Sequence, residues 1–384
     1  MTPVVKLQHA YVFRPRGGPY ARGIIGWRSQ IATFTGKVAE DGQKRTLIKL
    51  LRGAWRGLAA PTIMPNPASP LLAATVSFIT LGAFMLRPSL LPAALPTARS
   101  LHLRPVPQGA GIAVWIGLAA PMLLFHTFRA WSVPLLAVIA VSAWDDRREL
   151  SPLIRLSVQV GAAAAWAYMV WPTAGGLAAA LLTVWAANLF NFMDGSDGLA
   201  ATMAVVGFGT YAAASALLGG SETTLLVSVT AAVTPVLAMN WPPARVFLGD
   251  AGAVPLGFLA AVVGAEGVKS GTWPLWFPFF VFLPFIADAS ITLLRRVVQR
   301  QRIWQAHREH SYQRLVQHGA GHSGTLAVYG MLMVVGAVGA LAALVHPRAA
   351  EPAGALLALA WLSILLVIFG VIDHQWHAKC ARFA

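Results

Sequence analysis

From residue 70 onward the chain alternates long apolar runs with short polar segments. Each run approaches the roughly 20 apolar residues that a helix needs to cross a bilayer. Within each run the apolar residues are consecutive and do not alternate with polar ones, which favours membrane helices over the strands of a barrel. They lie near residues 70–87, 109–127, 130–144, 154–171, 175–190, 199–218, 223–240, 253–268, 274–294, 324–345 and 353–372. The pattern predicts an all-α, polytopic integral membrane protein with about 11 transmembrane helices.

Composition supports this interpretation. Hydrophobic residues make up 57% of the 384 positions and charged residues only 11%, whereas soluble domains carry about 25% charged residues. A single cysteine, Cys380, excludes an internal disulfide framework and a cysteine-based zinc site. The net charge of +15 is concentrated in residues 1–69, where eleven Lys and Arg face only two acidic residues. A basic tail beside a membrane domain accounts for this charge, so no nucleic-acid partner is expected.

The polar segments follow a topological rule. Spans alternate in direction, and the longest polar segments all come after odd-numbered spans, so they share one face of the membrane. Arg residues are frequent in these segments and scarce in the others, so the positive-inside rule makes this face cytoplasmic. The five segments read SLHLRPVPQGAG, DDRRELSPLIR, NLFNFMDGSDGLA, NWPPARVFLGDAG and RRVVQRQRIWQAHREHSYQRL.

Two of these segments concentrate carboxylates and amides. Asp145 and Asp146 follow an apolar helix directly, where they repel each other unless a metal or cationic group offsets the repulsion; a solvated helix cap is the alternative. Asn188, Asn191 and Asp194 recur every three residues, as on one helical face, and lead into Asp197 between two glycines. A calcium loop needs a different spacing of ligands, and an ordinary polar turn is the alternative.

Two further segments suit phosphate chemistry. Asp250 lies between glycines at a predicted helix start, which fits a Mg²⁺ or phosphate site or, alternatively, an ordinary turn. His307, Arg308 and His310 combine imidazole and guanidinium groups that suit anionic oxygens; a basic surface helix is the alternative. Together the motifs predict a metal-dependent reaction on a phosphorylated substrate, with Mg²⁺ as the metal.

In motif order and spacing the chain resembles the polyprenyl-phosphate N-acetylhexosamine-1-phosphate transferases. The resemblance covers roughly residues 70–372 and rests on HLRPVPQGAG, DDRRELSP, NLFNFMDGSDGLA, NWPPARVFLGDAG and HREHSYQRL. It implies ten or eleven spans, a cytoplasmic active site in the bacterial inner (plasma) membrane, and Mg²⁺ as cofactor, with Mn²⁺ as a substitute. It also implies transfer of a sugar-1-phosphate from a UDP-N-acetylhexosamine to undecaprenyl phosphate with release of UMP. Assembly as a homodimer is left open.

The resemblance also implies roles for individual residues. Metal binding falls to Asp250 and Asp194. Catalytic roles fall to Asp145, Asp146, Asp194, Asp197, His307 and His310. Substrate binding falls to Asn188, Asn191, Asn240, Arg308, Arg314 and Arg104.

The segment HREHSYQRL lacks the triple-His run of the branch that makes the peptidoglycan precursor, and it looks like the branch that initiates O-antigen and lipopolysaccharide. A phospho-MurNAc-pentapeptide transferase, a secondary transporter and a non-catalytic envelope scaffold are the alternatives. A transporter would be expected to carry acidic groups near mid-membrane and an internal repeat.

The predicted organisation has three parts. Residues 1–69 form a basic, disordered extension or follow from a gene start placed too early, with initiation near Met64. Residues 70–372 form the transmembrane transferase domain, and residues 373–384 form a short cytoplasmic tail.

Overall fold

The computed structural model describes residues 66–96, 101–102, 104–302, 307–346 and 351–383. The predicted N-terminal extension lies outside these residues except for its last four positions. The described helices are α1 (Ala68–Leu86), α2 (Gly111–Leu124), α3 (Ser132–Asp145), α4 (Pro152–Val170), α5 (Ala174–Met193), α6 (Leu199–Leu217), α7 (Thr223–Asn240), α8 (Asp250–Lys269), α9 (Trp276–Val298), α10 (Ser311–Leu315), α11 (Gly321–Val345) and α12 (Glu351–Phe383).

These helices confirm the predicted fold class. In the described part of the chain, nine helical stretches are long and apolar enough to cross a membrane, with α10 and α11 counted as one stretch. The helices α2 and α3 are equally apolar but have only 14 residues each. Together they account for the eleven predicted spans in the predicted order. The chain is a multi-pass membrane protein.

Two boundaries differ from those predicted. The tenth span was expected to start at residue 324, but helical structure starts at Ser311 as the short helix α10, and a π-helical turn, Val316–Ala320, connects it to α11. The residues predicted to form a separate tail continue α12 as far as Phe383. A helix can continue beyond an apolar run, because its backbone groups are hydrogen-bonded within the helix whatever the side chains are. The limits of an apolar run therefore locate the ends of a helix poorly.

Among the described residues, strand structure is present as a small pairing between α1 and α2. The strands β1 (Ala93–Ala94) and β2 (Val106–Pro107) pair in antiparallel register. The backbone N–H of Phe247 donates to the carbonyl of Pro107 at 2.8 Å, and Gln108 forms a parallel bridge with Phe247. These bonds attach the β2 segment to the loop that leads into α8.

The helix α8 lies at the centre of the bundle. It packs against α5, α3 and α2, and 78% of its most apolar stretch is buried, compared with 17% for α12. A helix that is apolar on all sides is expected in such a central position. The start of α8 is therefore surrounded by the ends and loops of its neighbours, and this is where the polar motifs meet.

Candidate active site

A cavity of about 260 Å³ lies beside the start of α8. All five polar motifs contribute to its lining, although they are distant in sequence. The predicted site residues that line it are Asp146, Asn191, Asp194, Asp197, Asn240, Asp250 and His307. The five polar motifs, which the sequence predicted to lie together, thus meet in a single concave site.

Asp146 caps the start of α8 from another part of the chain. Its Oδ1 accepts the backbone N–H of Asp250 and its Oδ2 accepts that of Ala251, both at 2.9 Å. The first N–H groups of a helix have no partner within the helix, and a carboxylate there also meets the positive end of the helix dipole. Gln108 adds a side-chain bond to Oδ1 at 3.3 Å. Asp146 therefore fixes the position from which Asp250 projects.

Gly249 makes this cap possible. Its φ of +74° is one that other residues rarely adopt, and a Cβ atom there would lie 2.8 Å and 2.9 Å from the two carboxylate oxygens of Asp146. The same atom would lie 2.7 Å from the backbone nitrogen of Gly109. The glycine before Asp250 is required by both conformation and space.

Asp250 is held by two side chains. Its Oδ1 accepts the amide of Asn191 at 2.7 Å, and its Oδ2 accepts Nη1 of Arg155 at 3.2 Å. The same Nη1 atom donates to Oδ2 of Asp145 at 2.7 Å. Asp145 itself does not line the cavity; it acts one step behind it, through Arg155. The adjacent aspartates thus have different roles, because one caps α8 and the other holds the arginine that contacts Asp250.

Three carboxyl groups, those of Asp146, Asp194 and Asp250, are crowded together in the cavity. Burial raises the pKa of Asp146 to about 6, although the N–H groups of Ala251 and Asp250 favour its ionised form. Burial raises the pKa of Asp194 well above its usual range, and the charges of Asp250 and Asp146 raise it further. Carboxylates that are costly to ionise together gain stability when a cation lies between them.

The loop after α5 is held by groups that also line the cavity. Oδ2 of Asp197 accepts the N–H of Ala244 at 2.9 Å. Asn240 accepts the N–H of Gly198 at 2.9 Å and donates to the carbonyl of Val246 at 2.8 Å. His322 lies 3.0 Å from the hydroxyl of Ser196 through its Nδ1 atom. These contacts fix the loop after α5 against the loop before α8.

The opposite wall is formed by the segment around α10. His307 lines the cavity, and its Nδ1 has no hydrogen-bond partner among the described residues. The pKa of His307 is lowered to about 4, mainly by burial and in addition by the neighbouring His310 and the charge of Arg296, so the imidazole is neutral at pH 7. His310 is buried beside His307, with ring centroids 4.9 Å apart, and does not line the cavity.

Four predicted substrate ligands do not line the cavity. The amide of Asn188 donates to Gln159 at 2.7 Å, and the guanidinium of Arg314 pairs with Asp373 on α12. Arg308 and Arg104 are exposed to solvent. These residues were predicted to bind substrate because cationic and amide groups suit phosphate and sugar oxygens. The direction in which a side chain points, however, is set by the residues around it. Their role in substrate binding stays a prediction.

Other side chains at the site were not predicted. Arg155 lies one turn into α4 and looks like a flanking cation in the sequence. Arg155 does not line the cavity, but the unpredicted residues His102, Gln108, Phe247, Gln313 and His322 do. His102 and Gln108 fall within the first quoted motif and Phe247 within the fourth, so the motif boundaries were the available signal. His322 carried none, since its contact with Ser196 joins positions 126 residues apart.

The donor set fits Mg²⁺ better than a metal that requires a complete protein cage. Within the described ranges, no three His, Cys, Asp or Glu side chains are arranged as a ready-made metal site. Mg²⁺ is commonly held by one or two carboxylates together with water and substrate phosphates. Asp194 and Asp250 provide such a pair, because both carboxylates line the same cavity beside the amide of Asn191.

The fold and the site define a class: a multi-pass membrane protein with an acidic cavity at the ends of its helices. The family model described as glycosyl transferase family 4 matches residues 128–267, which include α3 to α8 up to Gly267. These residues contain Asp146, Asp194 and Asp250.

Three relatives extend the similarity. A Bacillus subtilis protein named "Probable undecaprenyl-phosphate N-acetylglucosaminyl 1-phosphate transferase" is 27% identical over 309 residues, covering 73% of this chain and 82% of its own length. A Streptomyces coelicolor protein named only in general terms as a glycosyltransferase is 30% identical over 288 residues, covering 70% and 69%. The Escherichia coli undecaprenyl-phosphate alpha-N-acetylglucosaminyl 1-phosphate transferase is 25% identical over 324 residues, covering 75% and 85%.

The chain belongs to the polyprenyl-phosphate N-acetylhexosamine-1-phosphate transferases of glycosyl transferase family 4. This confirms the resemblance found in the sequence. By class, the protein is a membrane enzyme that transfers a sugar phosphate to a polyprenyl phosphate.

Proposed function

We propose that this enzyme transfers N-acetylhexosamine-1-phosphate from a UDP-sugar to undecaprenyl phosphate. A phosphate oxygen of the lipid forms a bond to the β-phosphorus of the UDP-sugar. The bond from that phosphorus to the bridging oxygen breaks, and UMP leaves with the bridging oxygen. The product is an undecaprenyl-diphosphate-linked sugar that initiates O-antigen or a related envelope glycan.

One observation carries the proposal: Asp146, Asp194 and Asp250 line one cavity with Asn191, at the ends of membrane helices. A phosphoryl transfer depends mainly on positioning and on neutralising charge, and less on covalent participation by the protein. The Bacillus subtilis and Escherichia coli relatives are named as transferases that act on undecaprenyl phosphate, and the apolar surface of the helices suits a lipid acceptor.

The side chains divide the task. Asp194 and Asp250 are the residues that would hold Mg²⁺, with Mn²⁺ as a substitute. When bound, the metal supplies positive charge to the phosphate oxygens. Asn191 and Arg155 orient the Asp250 carboxylate, and Asp146 fixes the backbone from which it projects. His307 is neutral at pH 7 and can donate one N–H to a phosphate oxygen or a sugar hydroxyl.

We place the cavity on the cytoplasmic side of the bacterial inner membrane. Arg147 and Arg148 follow α3 and Arg295 and Arg296 end α9, so they stand at the same ends of the helices as the cavity residues. The positive-inside rule assigns that side to the cytoplasm, where nucleotide sugars are made. Cysteine-accessibility labelling at Arg148→Cys in intact cells and in inverted vesicles, in a Cys380→Ser background, tests this orientation.

The activity is tested with the purified full chain in lipid nanodiscs. Undecaprenyl phosphate is supplied with UDP-GlcNAc, UDP-QuiNAc or UDP-FucNAc, and UMP release and the mass of the lipid product are measured. We expect one donor to give a lipid that is heavier by its sugar phosphate, and the donor identifies the sugar. No product from any UDP-N-acetylhexosamine would contradict the proposal.

The metal assignment has its own test. We expect Asp250→Ala to abolish UMP release, and EDTA to abolish the activity of the parent enzyme until Mg²⁺ or Mn²⁺ is restored. The matched control is Glu222→Ala, which removes a carboxylate paired with Arg129 outside the cavity. Near-normal turnover by the Asp250 variant, or full activity in EDTA, would refute the assignment.

A further inference from the structure

Asp146 holds the start of α8 at the cavity, and another aspartate, Asp288, holds the segment that forms the opposite wall of the cavity without lining the cavity itself. We propose that Asp288 is a positioning residue for the transfer reaction, acting through the backbone of Ser311 and Tyr312. The inference rests on the proposed function. Asp288 lies in the apolar helix α9, and its side chain is fully buried.

The carboxylate of Asp288 is surrounded by donors from α10, from α11 and from its own helix α9. Oδ1 accepts the backbone N–H of Ser311 at 2.8 Å, and Oδ2 accepts that of Tyr312 at 3.1 Å. Oδ2 also accepts the hydroxyl of Tyr329 at 2.5 Å, and Oδ1 accepts that of Thr292 at 3.3 Å. These two amides are the first of α10 and have no partner within the helix.

From this anchor, contacts reach two walls of the cavity. Gln313, the next residue along the chain, lines the cavity, as does His307 a few residues before the anchor. The hydroxyl of Tyr312 donates to the carbonyl of Phe192 at 2.9 Å, beside Asp194. A Cβ atom on Gly195 would lie 2.2 Å from this hydroxyl, so the loop after α5 is fitted closely to the tyrosine. A shift of residues 311–312 therefore displaces both walls.

A carboxylate suits this position better than any neutral side chain. A charged group among membrane helices is unfavourable unless several donors compensate for it. Asp288 meets that condition, because four donors converge on two oxygens. An asparagine of the same shape would keep one oxygen and turn its NH₂ group toward a donor, which leaves a buried N–H without an acceptor.

The competing interpretation is that Asp288 only holds the helices together. Its test uses three variants in nanodiscs: Asp288→Asn, Tyr329→Phe, and the matched control Thr292→Val. The control removes one hydroxyl contact to the same carboxylate but leaves both backbone bonds. We measure kcat, KM for UDP-sugar and for undecaprenyl phosphate separately, thermal unfolding, and amide hydrogen exchange of residues 307–315 and of the start of α8.

We expect Asp288→Asn to lower kcat/KM for the UDP-sugar by about 10- to 100-fold, as a misplacement of about 1 Å can do. KM for the lipid should stay within about twofold, and exchange should quicken at residues 311–312 but not at the start of α8. Tyr329→Phe should have a smaller effect in the same direction, and Thr292→Val almost none.

Two results would overturn the inference. One is a kcat and a donor KM of Asp288→Asn within about twofold of those of the parent enzyme. The other is exchange that quickens equally at α8 and at α10 together with a loss of thermal stability, which indicates a role in the bundle alone. Both results differ from failure of the proposed function, which would show as absent transfer by the unaltered enzyme.

Discussion

The two helix starts at the cavity, those of α8 and α10, are held in the same way by different neighbours. Each presents two unpaired backbone N–H groups to both oxygens of one aspartate from elsewhere in the chain. The cap of α8 is Asp146, which lines the cavity and is partly accessible. The cap of α10 is Asp288, which is sealed between helices and does not reach the cavity.

The difference shows how a catalytic site can separate two requirements. Residues that touch substrates must face the cavity, and their charge responds to whatever is bound there. A residue that only fixes the backbone does so best when it is shielded from the changes of charge that accompany ligand binding in the cavity. We therefore expect α8 to be the more sensitive of the two starts to substitution, to neighbouring charge and to pH.

The largest expected effect comes from adding one carbon atom at the start of α8. Gly249→Ala places a Cβ within 2.8–2.9 Å of the oxygens of Asp146, at a φ of +74°. The cap and Asp250 must then move together, and we expect kcat to fall by at least about 100-fold. Initial rates of UMP release measure this.

Gly271→Ala is the matched control. Gly271 follows the other end of α8 and has a φ of +73°, but a Cβ there would meet nothing within 4 Å. It should lower stability by roughly 1–2 kcal/mol from backbone strain and leave kcat almost unchanged. Equal losses of kcat in the two variants would show that strain, and not the cap, accounts for the effect.

A smaller effect is expected from the neighbouring charge. Arg155 contacts Asp145 and Asp250, whereas the four donors that hydrogen-bond to Asp288 are all neutral amide or hydroxyl groups, and the imidazole of His310 lies farther off, with Nδ1 3.7 Å from Oδ1. Arg155→Ala leaves two neighbouring carboxylates without their shared cation, and we expect activity to fall by about 10- to 100-fold. Arg155→Lys should restore part of it, since an ammonium group lacks the planar fork of guanidinium.

The control for Arg155 is Arg308, the arginine that the sequence favoured. Its side chain is exposed and does not line the cavity, so Arg308→Ala should retain activity within about threefold. If Arg308→Ala lost more activity than Arg155→Ala in the same assay, the ranking given by the structure would be wrong.

These variants also mark how far the sequence could predict the site. The order of the eleven apolar helices, and the position of the polar motifs at one set of helix ends, were predicted because apolar runs and alternating direction are properties of the chain itself. The convergence of Asp146, Asn191, Asp194 and Asp250 was predicted because each ends or begins a span on that face. Chemistry and span position together were sufficient for these residues.

The remaining residues could not be predicted because their roles depend on distant partners. Asp288 reads as a polar interruption of an apolar helix, and only folding brings Ser311 and Tyr312 to it. Arg314 has suitable chemistry for phosphate, but it belongs to a five-residue helix whose buried side faces Asp373 of α12. Sequence patterns do not fix side-chain direction in so short a helix.

The smallest expected effect concerns pH, which should change the rate of transfer and the stability of the fold in opposite directions. Burial raises the pKa of Asp146 to about 6, from a model-compound value of 3.8. Below pH 6 the carboxylate gains a proton and becomes a poorer acceptor for the N–H groups of Asp250 and Ala251, so the rate of transfer should fall on that side.

Stability should change in the opposite direction. Between pH 3.8 and about 6 the folded chain holds a proton on Asp146 that the unfolded chain has lost. The contribution of this group to the free energy of unfolding therefore falls as the pH rises through that window and grows on acidification. Initial rates and thermal unfolding between pH 5 and pH 8 measure both trends, and Asp146→Asn should remove both, at lower activity. If rate and stability instead fell together on acidification, and did so equally in the Asn variant, the pH response would belong to another group. The starts of α8 and α10 would then not differ in their sensitivity to pH.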